Sequence, residues 1–144
     1  MKKMISFLTI ILVMSSVGVL GERQQETFDI KKAALDYVEG WYEGDPERME
    51  RALHPKLVKR NVFANTTTGK TMLRELTATM MVQYTRAGGG KDIPKDQRQI
   101  EVKILDVFRN TASVKVISSQ YVDYLHMVQW DGEWVVLNVA WEDK

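Results

Sequence analysis

Apolar residues follow two different spacings along this chain. Between Thr27 and about Arg86 they recur every three or four residues, as on one side of an α-helix. From Ile100 onward they alternate with polar residues, as in strands that bury one face. Helices that precede a run of antiparallel strands are typical of the α+β class. The pattern therefore predicts one α+β domain, with N-terminal helices packed on a curved antiparallel sheet.

Three helices are predicted in the N-terminal half. The first begins near Thr27 or Asp29, since either side chain can cap a helix N-terminus, and it ends at Gly44. Its apolar stripe is Ile30, Ala34, Val38 and Trp41. A short second helix follows, with Asp45 as N-cap and Pro46 at the first helical position, and it stops at His54-Pro55. The third spans Thr71–Tyr84 and ends before Gly88-Gly89-Gly90.

Four strands are predicted after a polar loop, joined as an antiparallel meander. They span Ile100–Phe108, Ala112–Ser118, Tyr121–Trp130 and Trp134–Trp141. Asp131-Gly132 is the clearest turn signal in the chain, because a two-residue Asp-Gly loop suits the type I′ turn of tight β-hairpins. The last two strands are therefore predicted to pair as a hairpin whose register is fixed by this turn.

An uninterrupted register predicts which residues of this hairpin share a face. It places Gln129 opposite Trp134 and Leu125 opposite Asn138. The mixed face consists of Asp123, Leu125, Met127, Gln129, Trp134, Val136 and Asn138. The apolar face consists of Val122, Tyr124, His126, Val128, Val135, Leu137, Val139 and Trp141. We expect the helices to cover the mixed face and to enclose a cavity there.

The apolar face is expected to be an interface. Each large apolar side chain left in water forgoes about 1.5–3 kcal/mol, and a contiguous patch of this kind usually marks an interaction surface. We expect a homodimer through this outer sheet face. The candidate interface residues are Tyr124, His126, Val135, Leu137 and Trp141. The alternative is that another segment of the same subunit folds over this face.

The N-terminus has the layout of a secretory signal peptide. Lys2 and Lys3 precede an uncharged and mostly apolar stretch, Met4–Leu20, and small residues follow it. We expect cleavage after Gly21, with Gly18 as the second choice. An uncleaved membrane anchor is the alternative.

The predicted organisation is thus a signal peptide at residues 1–21 and one domain at residues 22–144, exported to the periplasm or secreted. The chain has no cysteine, so it forms no disulfide and has no site for lipid attachment after the apolar stretch. We therefore expect no membrane contact after cleavage.

Charge and composition limit which classes of partner and ligand are expected. The chain has 20 Lys and Arg residues against 19 Asp and Glu, and without Lys2 and Lys3 the count is 18 against 19, a net charge of −1. The signs are interspersed, so the basic stripe of a nucleic-acid-binding protein is missing. With two histidines on opposite faces of the domain and no cysteine, we expect no metal site and no cofactor.

Two stretches resemble the putative lumazine-binding family of the nuclear transport factor 2-like, or SnoaL-like, superfamily. The first is Asp36–Asp45, followed by Met49, Leu53-His54-Pro55 and Lys59-Arg60. The second is Tyr121–Leu125, then Asp131-Gly132-Glu133-Trp134, Val136, Asn138 and Trp141. The resemblance implies a cone made of a curved sheet around a long helix, often dimerising through the outer sheet face. It also implies a small-molecule pocket.

Some members of the superfamily are isomerases, dehydratases or hydrolases, and this suggests a candidate base. Asp123 lies on the predicted cavity face, and a buried carboxylate can act as a general base. Asn138 shares that face and could donate a hydrogen bond to a developing oxyanion. The alternative for Asp123 is a structural aspartate bonded to neighbouring groups.

Three further residues are candidates for the pocket wall. Trp41 and Tyr84 could stack on a ring-shaped ligand, although aromatics on helical stripes are often core residues. His54 could line the cavity mouth or cap helix carbonyls. The first hypothesis is an exported small-molecule-binding domain without a catalytic motif. The second is a ketosteroid-isomerase-like enzyme that uses Asp123, and the third is an interaction domain with a filled cavity.

Overall fold

The structure, a computed structural model, describes the backbone of residues 2–144 and the side chains of residues 18–144. In this part of the chain, the helices are α1 (Lys2–Glu43), α2 (Pro46–Ala52) and α3 (Ala78–Arg86), with one 3₁₀ turn at Lys95–Gln97. The strands are β1 (Leu53–Ala64), β2 (Thr71–Thr77), β3 (Glu101–Phe108), β4 (Thr111–Ile117), β5 (Tyr121–Trp130) and β6 (Glu133–Asp143).

All six strands form one curved sheet in the order β2-β1-β6-β5-β4-β3. Neighbouring strands are antiparallel except β1 and β6, which run parallel. Helix α1 packs on the sheet and on α2, while α3 packs on α2 and β1. The prediction of helices packed on a curved sheet is confirmed, but the sheet is mixed and not purely antiparallel.

Helix α1 extends further toward the N-terminus than predicted. It continues through Thr27 and Asp29, which therefore do not cap its start, and the Asp29 carboxylate instead accepts a hydrogen bond from Gln25 one turn earlier, at 2.9 Å. Of the predicted signal peptide, the side chains of residues 1–17 lie outside the described residues, and cleavage stays a prediction. Among the described residues, no helix is long and apolar enough to cross a membrane.

Strand β1 was not predicted. The short helix α2 is capped as expected, with the Asp45 carboxylate accepting from the Arg48 amide at 2.9 Å, but it ends at Ala52. The chain then extends, and its register against β6 is interrupted between Leu53 and Val58. The inward positions of β1 include two buried polar residues, Lys59 and Asn61. Because these residues break the apolar alternation of a half-buried strand, the pattern concealed β1.

Strand β2 replaces the first half of the third predicted helix. Thr71–Thr77 pairs antiparallel with β1, and α3 begins only at Ala78, where the Thr77 hydroxyl accepts from the Met80 amide at 3.3 Å. Leu73 lies on the exposed side of β2. Its helix-like spacing to Leu76 therefore reflects no shared helix face.

A β-bulge changes the predicted register of the β5–β6 hairpin. Near the Asp131-Gly132 turn the pairing is as predicted, with Gln129 opposite Trp134. Between Met127 and His126 the register shifts, and Leu137 is the extra residue of β6. Beyond it, Asn138 pairs with His126 and Trp141 pairs with Asp123. After the bulge, the side chains of β6 therefore point to the sheet face opposite to the predicted one.

The buried core occupies the space between α1, α2 and the inner sheet face. Its fully buried members include Ile30, Met49, Leu57, Val114, Leu125, Met127 and Val136. The segment after α3 closes against this layer at Trp41. A Cβ atom on Gly89 would lie 2.6 Å from the Trp41 carbonyl oxygen, and one on Gly90 would lie 2.7 Å from the Trp41 indole nitrogen. Any side chain at Gly89 or Gly90 would collide with Trp41, so these two positions require glycine for close packing as well as for ending α3.

Candidate functional site

An internal cavity of about 310 Å³ lies between α1, α3, the β1–β2 pair and those ends of β5 and β6 that are farther from the Asp131-Gly132 turn. Its aromatic lining consists of Tyr37, Trp41, Tyr42, Tyr84, Tyr121 and Trp141. Val38, Leu76 and Met81 supply apolar surface, and the charged residues are Lys59, Arg74 and Asp123. A concave, mostly apolar space with a few convergent polar groups is the usual form of a small-molecule site.

Three polar side chains from three elements meet in the wall of this cavity. Lys59 of β1 and Tyr37 of α1 both donate to Oδ1 of Asp123 on β5, at 2.6 Å and 2.9 Å. The Lys59 ammonium also lies 2.6 Å from the Tyr37 hydroxyl oxygen. All three residues are buried, with relative exposures of 3–6%. We call this group the Lys59–Asp123–Tyr37 cluster.

Burial shapes the protonation of this cluster. It lowers the pKa of Lys59, because an ammonium loses its hydration, and the neighbouring Asp123 charge only partly opposes this effect. It raises the pKa of Tyr37, and the Asp123 carboxylate raises it further. The Lys59 ammonium also lies over three rings, with its nitrogen 4.9 Å from the centroid of Trp141, 5.3 Å from Tyr37 and 5.9 Å from Tyr121.

The aromatic wall is held in place by hydrogen bonds and edge contacts. The Tyr42 hydroxyl donates to Ser118 Oγ at 2.9 Å and accepts from the Gln120 amide at 3.4 Å, which fixes the β4–β5 turn against α1. Tyr121 makes edge-to-face contacts with Trp41 and Trp141, with centroids 6.4 Å and 5.4 Å apart. The rings therefore form a preset surface against which a flat molecule can pack.

Arg74 and Tyr84 lie at the exposed side of the cavity. Arg74 projects inward from β2, and its guanidinium carbon lies 4.9 Å from the Phe63 ring centroid and 5.6 Å from that of Trp141. Tyr84 on α3 is 46% exposed. These two side chains flank the opening.

The structure brings together three of the five predicted pocket residues. Trp41, Tyr84 and Asp123 all line the cavity. His54 lies elsewhere, and the prediction of a mouth residue or a carbonyl cap is wrong. Its Nδ1 accepts a hydrogen bond from the Lys56 amide at 3.0 Å, and its ring packs on Trp130. Asn138 pairs with His126 on the opposite sheet face, because the bulge precedes it.

The predicted interface face is also altered. Trp141 lies inside the cavity and not on the outer face, again because of the bulge. Val135 is only 7% exposed, so the chain itself covers it, and Leu137 is half-buried. Tyr124 and His126 are exposed on the outer face as expected. The apolar surface there is therefore smaller than alternation predicted.

Most of the cavity lining was not predicted, and Tyr37, Tyr121, Arg74 and Lys59 show why. Tyr37 lies on the predicted apolar side of α1, one turn from Trp41, so helical spacing could have identified it. Arg74 was missed because β2 was predicted as helix. Tyr121 lies two positions before Asp123 on the correctly predicted β5, so strand alternation could have identified it. No local pattern identifies Lys59, because its partner Asp123 lies 64 positions along the chain.

Metal binding finds no support in the described residues, where no group of three or more His, Cys, Asp or Glu side chains is placed to hold an ion. The polar chemistry of the cavity is instead that of one buried ion pair, one guanidinium, four tyrosine hydroxyls and the Ser118 hydroxyl. Such groups can orient a ligand and neutralise its charge.

Comparison with known proteins supplies the family. The sequence profile of the family described as putative lumazine-binding matches residues 25–142. The chain has no match among the curated proteins.

Several solved structures are similar in fold. A nuclear transport factor 2-like protein of unknown function from Shewanella baltica is 16% identical, with a TM-score of 0.63 over 83% of this chain and 94% of that one. A second such protein, from Silicibacter pomeroyi, is 13% identical, with a TM-score of 0.62 over 85% and 98%. A ketosteroid isomerase-like protein from Erwinia carotovora atroseptica is 10% identical, with a TM-score of 0.53 over 80% and 93%. The chain therefore belongs to the putative lumazine-binding family and has the cone-like α+β fold of nuclear transport factor 2-like proteins.

Proposed function

We propose that this protein is a small-molecule-binding domain whose ligand occupies the aromatic cavity between α1, α3 and the sheet. The observation that carries this proposal is the combination of about 310 Å³ of space with six lining aromatic side chains. That volume lies at the lower end of the range of about 300–1,000 Å³ that is usual for ligand pockets. Flat rings that are already fixed in position bind a flat ligand with little loss of conformational entropy.

The contacts of Asp123 favour binding over catalysis. Its Oδ1 already accepts two hydrogen bonds, one of them from the Lys59 ammonium. A general base must be free to take a proton from the substrate within hydrogen-bond reach. Since both contacts are within the chain, the cluster is suited to rigidify the cavity wall. We therefore assign Asp123 a structural role in the binding site and not the role of a catalytic base.

A neutral aromatic dye, N-phenylnaphthylamine, tests whether the cavity binds ligands. Two leucines on β2 provide matched variants, since Leu76 lines the cavity and Leu73 is 59% exposed. The wild type and Leu73→Trp are expected to give the same saturable rise in dye fluorescence. Leu76→Trp fills the cavity and is expected to weaken dye binding by about tenfold or more. Equal dye affinity in all three proteins, or no binding by the wild type, would contradict the proposal.

Export and self-association are further parts of the proposal. They rest on the N-terminal pattern of Lys2, Lys3 and the apolar stretch, and on the outer face, where Val122, Tyr124, Val128 and Leu137 remain at least partly exposed. Native mass spectrometry of the protein, produced from the full sequence in an exporting host, is expected to show a dimer that begins at Glu22. A monomer that begins at Met1 would contradict both parts. The same spectrum reports any molecule that copurifies.

A further inference from the structure

The charges that line the cavity do not cancel. Lys59 and Asp123 form an ion pair at 2.6 Å, so together they contribute no net charge. Arg74 adds one positive charge at the opening. In the described part of the chain, no carboxylate lies within ion-pairing distance of the Arg74 guanidinium, which instead lies over the rings of Phe63 and Trp141. Among the lining residues, Arg74 is therefore the one charge without an ion-pair partner; the Asp143 carboxylate lies near enough to act electrostatically on Lys59 and Tyr121, but it does not pair with Arg74.

Hydrogen-bond donors are also in excess. The indole N–H of Trp141, a residue that is only 6% exposed, is buried and has no acceptor among the described residues. A buried polar group without a partner costs about 1–3 kcal/mol. The Arg74 guanidinium, whose carbon lies 5.6 Å from the Trp141 ring centroid, carries five N–H donors. Because the indole nitrogen itself is shielded, a ligand at the opening pairs with the guanidinium, and acceptor atoms with a negative charge suit it best.

The neighbouring arginine on β1 shows what is specific to Arg74. Arg60 faces the outer side of the same strand pair and forms a salt bridge with Glu75 at 2.9 Å. Both arginines are exposed, and both lie on the β1–β2 pair. Only Arg74 lines the cavity. Arg60 therefore offers a control that alters the charge of the sheet without altering the charge of the site.

We propose that the ligand is a flat aromatic acid, whose rings pack against Trp41, Tyr121 and Trp141 and whose single anionic group pairs with Arg74 at the opening. This inference rests on the proposed binding function and specifies its ligand class. One guanidinium matches one carboxylate or sulfonate in a bidentate pair. A polyphosphate would need several cations or a glycine-rich loop of backbone amides, and this cavity has neither among its lining residues.

Two dyes with the same ring system distinguish the contribution of the anionic group to binding from the contribution of ring packing. Anilinonaphthalene sulfonate carries an anionic group, and N-phenylnaphthylamine is its neutral counterpart. Each is titrated against the wild type, Arg74→Gln and Arg60→Gln, with urea unfolding used to verify that all three proteins have the same fold stability. Arg74→Gln is expected to weaken sulfonate binding by about tenfold, as for the loss of one partly exposed ion pair with hydrogen bonds, and to weaken binding of the neutral dye much less. Arg60→Gln is expected to change neither affinity.

Salt provides a second measurement. Raising the ionic strength from about 0.01 M to 1 M shortens the Debye length from about 30 Å to 3 Å. This change is expected to weaken sulfonate binding to the wild type, and to have a much smaller effect on Arg74→Gln and on the neutral dye. If sulfonate affinity is the same in wild type and Arg74→Gln, or falls equally with Arg60→Gln, the acidic ligand class is wrong while neutral-dye binding still supports the cavity. If neither dye binds the wild type, the binding function itself fails.

Discussion

The inner face of the β5–β6 hairpin serves two different purposes at its two ends. Near the turn, Met127 and Val136 are completely buried and pack in an all-apolar layer with Leu57. At the far end, Asp123 and Trp141 face a cavity and contact a buried lysine. We call these the closed end and the open end. The same pair of strands thus completes the core at one end and builds a binding site at the other.

The bulge at Leu137 makes this division possible. Without it, strict alternation would point Trp141 toward the outer face, as the uninterrupted register predicts. With it, both Val136 and Trp141 face inward although they are five positions apart. A single extra residue therefore turns the Trp141 side chain into the open end, while the closed end remains a regular hairpin.

The largest expected effect concerns the ion pair at the open end. Asp123→Leu leaves the Lys59 ammonium buried and unpaired, and we expect it to reduce the free energy of unfolding by about 3–5 kcal/mol. The double variant Lys59→Met/Asp123→Leu removes both charges and is expected to recover most of that loss. Urea denaturation measures both. A double variant as unstable as the single one would show that the open end is not held by charge pairing.

The closed end is expected to depend on packing alone. Met127→Ala removes a side chain that is 0% exposed, and we expect a loss of about 2–4 kcal/mol from reduced burial and the cavity that remains. Met72→Ala, at a position that is 45% exposed on β2, is the matched control and is expected to cost less than about 1 kcal/mol. Equal losses in the two variants would mean that the closed end is not the tightly packed part of the molecule.

The glycine segment behind Trp41 is expected to show a smaller effect. Gly89 has a φ of +44°, and an added Cβ would lie 2.6 Å from the Trp41 carbonyl oxygen. Gly69 has a φ of +68° but open space around it, so Gly69→Ala reports the backbone strain alone. We expect Gly89→Ala to cost about 1–3 kcal/mol more than Gly69→Ala, as measured by thermal unfolding. Equal costs would show that close approach to Trp41 does not constrain this segment.

The smallest expected effect is a change with pH at Tyr37. Burial raises its pKa, so above about pH 10 the phenol ionises in the unfolded chain before it ionises in the folded one. This contribution to stability is complete below about pH 10 and is lost as the pH rises further, by up to about 1.4 kcal/mol per pH unit. Tyr37→Phe is expected to remove it.

Unfolding by urea at about pH 9 and about pH 11 measures this difference. The wild type is expected to lose more stability between the two than Tyr37→Phe does. Tyr84→Phe, which alters an exposed tyrosine at the cavity opening, is the control and is expected to behave as the wild type. An identical pH dependence in wild type and Tyr37→Phe would place the Tyr37 phenol outside the buried cluster.

Local patterns predicted the elements that bury apolar residues in a regular repeat. The helical stripe of α1 and the Asp131-Gly132 turn were identified correctly, since each depends on residues close together in the chain. Strand β1 was missed because Lys59 and Asn61 occupy its inward positions, and their burial depends on partners elsewhere. The bulge has no local signal. Asn138 was therefore predicted on the inner face and lies on the outer one, and Trp141 was predicted on the outer face and lies on the inner one. The candidate site was therefore predicted less completely than the fold.

The most direct test of the division between the two ends uses methionine methyl groups as reporters. Met81 lines the cavity, whereas Met127 is buried in the closed end. In protein labelled at the methionine methyl carbons, N-phenylnaphthylamine is expected to shift the Met81 resonance through the ring currents of the dye and to leave that of Met127 unchanged. A saturating titration that shifts Met127 and leaves Met81 unmoved would contradict the assignment of ligand binding to the open end.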